Sequence, residues 1–162
     1  MYTLNNYSLF LDSVFEELEK IEIDVSNYQL DHISYRTNST EEYEEVQTSF
    51  LAVGTQVVEK IIRDRRISIY KLTSPLVYKE LTIEALELME KAPQDTHIFP
   101  SGFEHAEFVI DCSLDDLLLK YPKLDWNKIA MHKEINPDLI LTFDSGLSVK
   151  FHTKSILEVA LL

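Results

Sequence analysis

Two short runs in this sequence place an acid directly before a histidine at the head of strand-like residues: Asp31-His32 in DHISYR and Glu104-His105 in EHAEFV. A third histidine, His152, closes LSVKFH, and Glu87 stands within LTIEALEL. Imidazole and carboxylate are ligand types for zinc, iron, manganese or nickel. Two histidines with one carboxylate leave coordination positions open for substrate or oxygen. A single strand histidine is more often a satisfied structural group, so recurrence of the pair is what singles these residues out.

Strand alternation decides which side chains share a face. His32, Ser34 and Arg36 point one way, with Ile33 and Tyr35 opposite; His105, Glu107 and Val109 share a face opposite Ala106 and Phe108. In the later strands Ile83, Ala85 and Glu87 lie together, as do Ser148, Lys150 and His152, with Val149 and Phe151 behind. Helices covering the apolar faces would leave the histidine faces on a concave side. Arg36 and Lys150 lie beside these groups, where they would hold a substrate's carboxylate or carbonyl oxygen or neutralise acids. Glu107 reads as a general base or as the partner of Arg36. His97 and His132 fall in loop-like or weak segments and read as solvated. Glu41, Glu42, Glu44 and Glu45 read as a solvated helix face, and Cys112, with no base beside it, as inert.

The positioning elements follow from periodicity and punctuation. Tyr7, Phe10, Leu11, Val14, Phe15, Leu18 and Ile21 recur at helical spacing, which predicts an amphipathic N-terminal helix. From residue 29 the order is strand LDHISYR, a helix capped by Ser39 or Thr40 and closed by Gly54, strands TQVVEKII and RRISIYKLT around Arg63-Asp64-Arg65, and strand LTIEALEL. The order then repeats: strand FEHAEFVI, helix SLDDLLLKYP from Ser113 to Pro122, weak strand HKEI, and a hairpin of LILTFD and LSVKFH across Asp144-Ser145-Gly146. The expected architecture is α+β: a helical extension over 1–28, then two βαβββ modules over 29–100 and 101–162.

Composition narrows the function classes. The chain has 162 residues, 45% hydrophobic and 27% charged, as in a globular protein. A formal charge of −13 repels nucleic acid and anionic membranes. Three glycines leave little material for a glycine-rich phosphate loop, and one cysteine precludes an internal disulfide. No apolar run approaches the roughly 18 residues of a membrane span, and MYTLNNYSLF lacks a signal-peptide pattern. The expectation is a cytoplasmic protein with a small-molecule partner.

The runs DHISYR, ISIYKLTSPL, IEALEL, GFEHAEFVI and VKFHTKSILEV resemble the YecM family of the vicinal oxygen chelate superfamily. The resemblance extends over roughly the whole chain, and Gly102-Phe103-Glu104-His105 and Lys150-Phe151-His152 are its most specific pieces. It implies that the two βαβββ modules curl into one mixed sheet around a metal cavity. It further implies His32, Glu87 and His105 as ligands of a divalent ion (zinc, iron(II), manganese or nickel), with His152 a fourth ligand or a hydrogen-bond partner. Met89 stands where the family tends to have proline; a slipped register there would offer Glu90 or Glu84 in place of Glu87. The implied activity is that of an isomerase, an epimerase or a dioxygenase on a small oxygen-bearing metabolite. The alternative is a metal- or small-molecule-binding protein without turnover.

Overall fold

A computed structural model describes residues 4–160. A short 3-10 turn leads into α1 (Tyr7–Lys20), which buries Phe10, Leu11, Val14 and Leu18, the face its periodicity marks. Next come β1 (Gln29–Arg36), α2 (Thr40–Leu51), β2 (Gly54–Ile62), β3 (Arg65–Tyr78) and β4 (Leu81–Met89). The second half supplies β5 (Gly102–Val109), α3 (Leu114–Lys120), β6 (Asp138–Thr142), β7 (Ser148–His152) and α4 (Ile156–Ala160). Ser39 caps α2 through the Glu42 amide. Ser113 and Asp116 form a reciprocal capping box on α3.

The seven strands form one mixed sheet in the order β2-β3-β4-β1-β5-β7-β6. β1 runs parallel to β4 and β5 parallel to β7, while β1 and β5 meet antiparallel at the centre. The first strands of the two halves are therefore neighbours, which brings the two acid-histidine pairs together. One face carries Ile33, Leu86, Leu88, Ala106, Phe108, Val149 and Phe151, all fully buried. Helix α1 packs on β5, and α2 on β2 and β4. Phe108 stacks on Phe151 at 5.7 Å and Trp126 meets Phe151 edge-on at 5.7 Å. Among the described residues no helix is long and apolar enough to cross a membrane.

Three local readings are corrected. HKEI is turn and bend rather than strand, and only the bridge Asn127–Ile140 extends that edge, so the second half contributes three strands. Asn136 has φ of 45° and Pro137 has no N–H to donate, which breaks a ladder there. Gly54 opens β2 instead of capping α2; a Cβ at that position would lie 2.5 Å from the Lys71 carbonyl oxygen, so close strand approach is what requires glycine. β3 continues past Thr73 to Tyr78, with the irregularity between Lys71 and Leu76 accommodating Pro75. Helix α4, absent from the sequence reading, follows Ser155.

Candidate metal centre

Register builds the site. Glu87, Ser34, His105 and Ser148 are successive partners across β4, β1, β5 and β7; one step along, Ala85, His32, Glu107 and Lys150 form the next row. His152 follows Lys150 by two positions and shares its side. The opposite side of each strand packs into the core, so these polar groups are committed to the inner face.

The acid-histidine pairs interrupt strict alternation. In the β1–β5 ladder Leu30 pairs with Phe108 and His32 with Glu107, leaving Asp31 as an extra residue; Ser34 pairs with His105 and Tyr35 with Phe103, leaving Glu104 extra. Each acid is a β-bulge, a device that re-aims side chains beside functional sites. Leu30 and Ile33 both enter the core, and so do Phe103 and Ala106, with acid and histidine between them turned inward together.

Each histidine turns its Nδ1 toward an oxygen, and two of the three are hydrogen-bonded there. His32 Nδ1 donates to Asp31 Oδ2 at 2.9 Å, His105 Nδ1 lies 3.7 Å from Glu104 Oε1, and His152 Nδ1 donates to the Lys154 carbonyl. The three Nε2 atoms converge on the Glu107 carboxylate: 3.4 Å from His32 and 3.0 Å from His105 to Oε1, and 3.2 Å from His152 to Oε2. Glu87 Oε1 lies 3.4 Å from His105 Nε2 and accepts the Ser34 hydroxyl at 2.8 Å. His32, Glu87, His105 and Glu107 each offer a ligand atom within 4.8 Å of all the others. Every one of them is buried. Two ligands each about 2.0–2.1 Å from a shared ion stand roughly 3.0–3.4 Å apart, which matches the His32–Glu107, His105–Glu107 and His105–Glu87 spacings. The Nε2 atoms of His32 and His152 are buried without a hydrogen-bond partner. A cation would satisfy such lone pairs, so the donor set fits a divalent metal.

Electrostatics point the same way. Burial alone would lower the pKa of His32, but the nearby Glu107 charge and the hydrogen bond to Asp31 outweigh it and raise it to about 10. Burial and Lys150 lower His105, yet Glu104, Glu107 and Glu87 raise it to about 9. Burial opposes ionisation of Glu87, but the His105 hydrogen bond and the Lys150 charge bring it down to about 2. Glu107 is likewise depressed, against burial, by Lys150 and His32. Without an ion, the pocket attracts positive charge as protons on imidazole.

Both cations neutralise acids, one of the two readings that their strand positions allowed. Lys150 Nζ lies 3.1 Å from Glu107 Oε1, with its side chain 24% exposed. Arg36 pairs instead with Glu104 at 2.6 Å and lies over the Phe99 ring at 4.4 Å, so the expected Arg36–Glu107 pairing is not formed. Glu90 is occupied by Arg66 and Glu84 is exposed, leaving Glu87 as the β4 carboxylate opposite Ser34. His97 and His132 are exposed. Alternation alone missed the inward turn of Asp31 and Glu104; the signal available was two core residues three positions apart flanking each pair.

Comparisons with known proteins agree with this architecture. An uncharacterized protein of Haemophilus influenzae is 26% identical over 92 residues, covering 57% of this chain and 47% of that one, so the match spans about half the relative's length. Among solved structures, a structural-genomics protein designated EC4020 is similar with a TM-score of 0.78 at 23% identity, over 97% of this chain and 88% of that one. Methylmalonyl-CoA epimerase in complex with methylmalonyl-CoA and NH4+ is similar with a TM-score of 0.54 at 13% identity, over 80% of this chain and 96% of that one. The seven-stranded curled sheet is thus the vicinal oxygen chelate fold. The model of the YecM protein family matches residues 2–161, and the chain belongs to the YecM family.

Proposed function

We propose that this protein is a divalent-metal-dependent enzyme of the vicinal oxygen chelate type. It acts on a small metabolite with carbonyl or carboxylate oxygens and moves a proton on the carbon beside a carbonyl. The observation that carries this reading is the convergence of three imidazole Nε2 atoms on Glu107 within 3.4 Å. His32, Glu87, His105 and Oε1 of Glu107 would hold the ion; zinc, iron(II), manganese and nickel all suit a nitrogen-oxygen set. The ion supplies Lewis acidity toward negative charge developing on substrate oxygens.

The chain's own groups do the rest. Glu107 Oε2, the carboxylate oxygen 3.2 Å from His152 Nε2, accepts the proton from carbon. His152, fixed through Nδ1 by the Lys154 carbonyl, holds or returns it. Lys150, partly exposed beside Glu107, binds an anionic substrate oxygen. Arg36 stands one layer back, orienting Glu104. This pairing of proton-moving groups favours isomerase or epimerase chemistry over oxygen activation.

The test is metal content in protein purified without tag or chelator, beside the His32→Ala/His105→Ala double variant. Near-stoichiometric metal in the wild type and none in the folded variant supports the reading. A wild type that takes up no zinc, manganese, nickel or anaerobic iron(II) overturns it. A loaded protein that binds small 2-oxo acids yet never exchanges their adjacent carbon-bound hydrogen with deuterium oxide would be a binding protein instead.

A further inference from the structure

The chain leaves β7 near one edge of the sheet, yet α4 packs against β2 and β3 at the other edge. Residues 153–160 therefore cross from the β7 side of the sheet to its β2–β3 edge. The crossing is anchored at one carboxylate oxygen. Ile156 N–H donates to Asp31 Oδ2 at 2.8 Å, and the same oxygen accepts His32 Nδ1 at 2.9 Å. His152 Nε2 stands 3.6 Å from it. The Asp31 side chain is 2% exposed, so no solvent competes for these bonds. Donation of Nδ1–H to Asp31 leaves the His32 lone pair on Nε2, the atom facing Glu107. Helix α4 has only five residues, too few to be stable by itself, so its position depends on anchors such as this one.

Resting on the metal reading above, we propose that Asp31 is a positioning residue that couples α4 to the metal centre. It fixes His32 for the ion and is itself fixed by the Ile156 amide, so ion binding and seating of α4 against β2 and β3 stabilise one another. Such coupling is reciprocal: whatever the helix contributes to ion affinity, the ion returns to the helix.

The experiment uses zinc as the probe. Affinity is read by competition with a chromophoric chelator, and seating of α4 by amide hydrogen exchange over residues 156–160. In the wild type, zinc should slow exchange in this segment. Asp31→Asn should weaken zinc binding roughly 10–100-fold and abolish the zinc-dependent protection. Ile156→Pro is the second variant: proline is well tolerated at a first helical position, and this change removes the N–H donor while leaving Asp31 and His32 intact, with Ile156→Ala, which keeps the N–H, as the control for the lost half-buried side chain. It should weaken zinc several-fold and remove the dependence of residues 157–160 on zinc. If Asp31→Asn does not fold, Ile156→Pro carries the test. Wild-type zinc binding with unchanged α4 exchange, or wild-type affinity in the folded variants, overturns the coupling alone. A wild type that binds no zinc overturns the metal reading and the coupling with it.

Discussion

Asp31 and Glu104 are the two residues that the β1–β5 ladder leaves without a partner, one on each strand, and each turns inward beside its histidine. The two are not equal. Asp31 meets His32 Nδ1 at 2.9 Å, whereas Glu104 stands 3.7 Å from His105 Nδ1 and gives its other oxygen to Arg36 at 2.6 Å. At 3.7 Å the interaction is not a hydrogen bond. Glu104→Gln is therefore expected to weaken zinc binding by less than the roughly tenfold lower end for lost supporting carboxylates, and by less than Asp31→Asn does. Chelator competition on both variants checks the ranking; an equal or greater loss from Glu104→Gln would contradict it.

Glu107 is the hub of the imidazole cluster, and its removal should be costly. Three imidazoles and Lys150 converge on it at 3.0–3.4 Å. Replacing it by leucine leaves Lys150 without its nearest counter-charge, the situation that costs about 3–5 kcal/mol when a buried pair is broken. For a chain of this size each kcal/mol shifts the melting temperature by roughly 2–4 °C. A thermal melt of chelated Glu107→Leu should thus fall by about 6–20 °C. A fall under about 2 °C would mean that the cluster repacks without its hub.

The inner face was legible because its polar residues recur at strand spacing and keep register: Ser34 opposite Glu87, Glu107 opposite Lys150. The bulges were not, since a period of two carries no signal for one inserted residue. Only the core spacing of Leu30 and Ile33, and of Phe103 and Ala106, hints at them. The partner of Arg36 depended on that same bulge, which brings Glu104 rather than Glu107 to it. The missing strand at HKEI reflects local backbone: Asn136 at positive φ and Pro137 outweigh weak propensity. Helix α4 is five residues long and held by tertiary contacts, so periodicity could not mark it.

Gly54 illustrates the same limit and supplies a control away from the site. The helix end before it suggested a cap, but the Lys71 carbonyl oxygen lies 2.5 Å from where a Cβ would be, and that oxygen belongs to backbone. Gly54→Ala should destabilise by about 1–3 kcal/mol, the usual cost of overpacking, with zinc stoichiometry unchanged. Urea melts and metal analysis on the same sample decide; unaltered stability would show that β2 and β3 can separate there without cost.

Stability of the metal-free protein should depend on pH from both sides. His32 and His105 are raised to about 10 and about 9 from an ordinary 6.5. Their contribution is complete below about 6.5 and is lost as pH rises through 9–10. Glu87 is depressed to about 2 from 4.5. Its contribution is complete above about 4.5 and is lost as pH falls toward 2. The melting temperature of chelated protein should therefore be highest near pH 5–6 and decline toward pH 10. Zinc, replacing the imidazole protons, should flatten the alkaline limb. A chelated protein as stable at pH 10 as at pH 6 would count against charged imidazoles in the empty pocket.

Lys150 sets the final expectation, because its charge acts in opposite senses on the two partners of the site. Its ammonium, 3.1 Å from Glu107 Oε1, offsets the carboxylates that attract a divalent ion while attracting an anionic ligand. Lys150→Met keeps an unbranched stem of similar length and removes the ammonium group. Zinc should then bind more tightly, by roughly tenfold if about 1.4 kcal/mol of repulsion is relieved. Oxalate, a small dianion with adjacent oxygens, should lose affinity for the zinc-loaded protein by a similar factor. Calorimetric titration of zinc, then of oxalate, separates the two effects. Tighter zinc with unchanged oxalate would place the anion away from Lys150; weaker zinc would mean that Lys150 organises Glu107 more than it repels the ion.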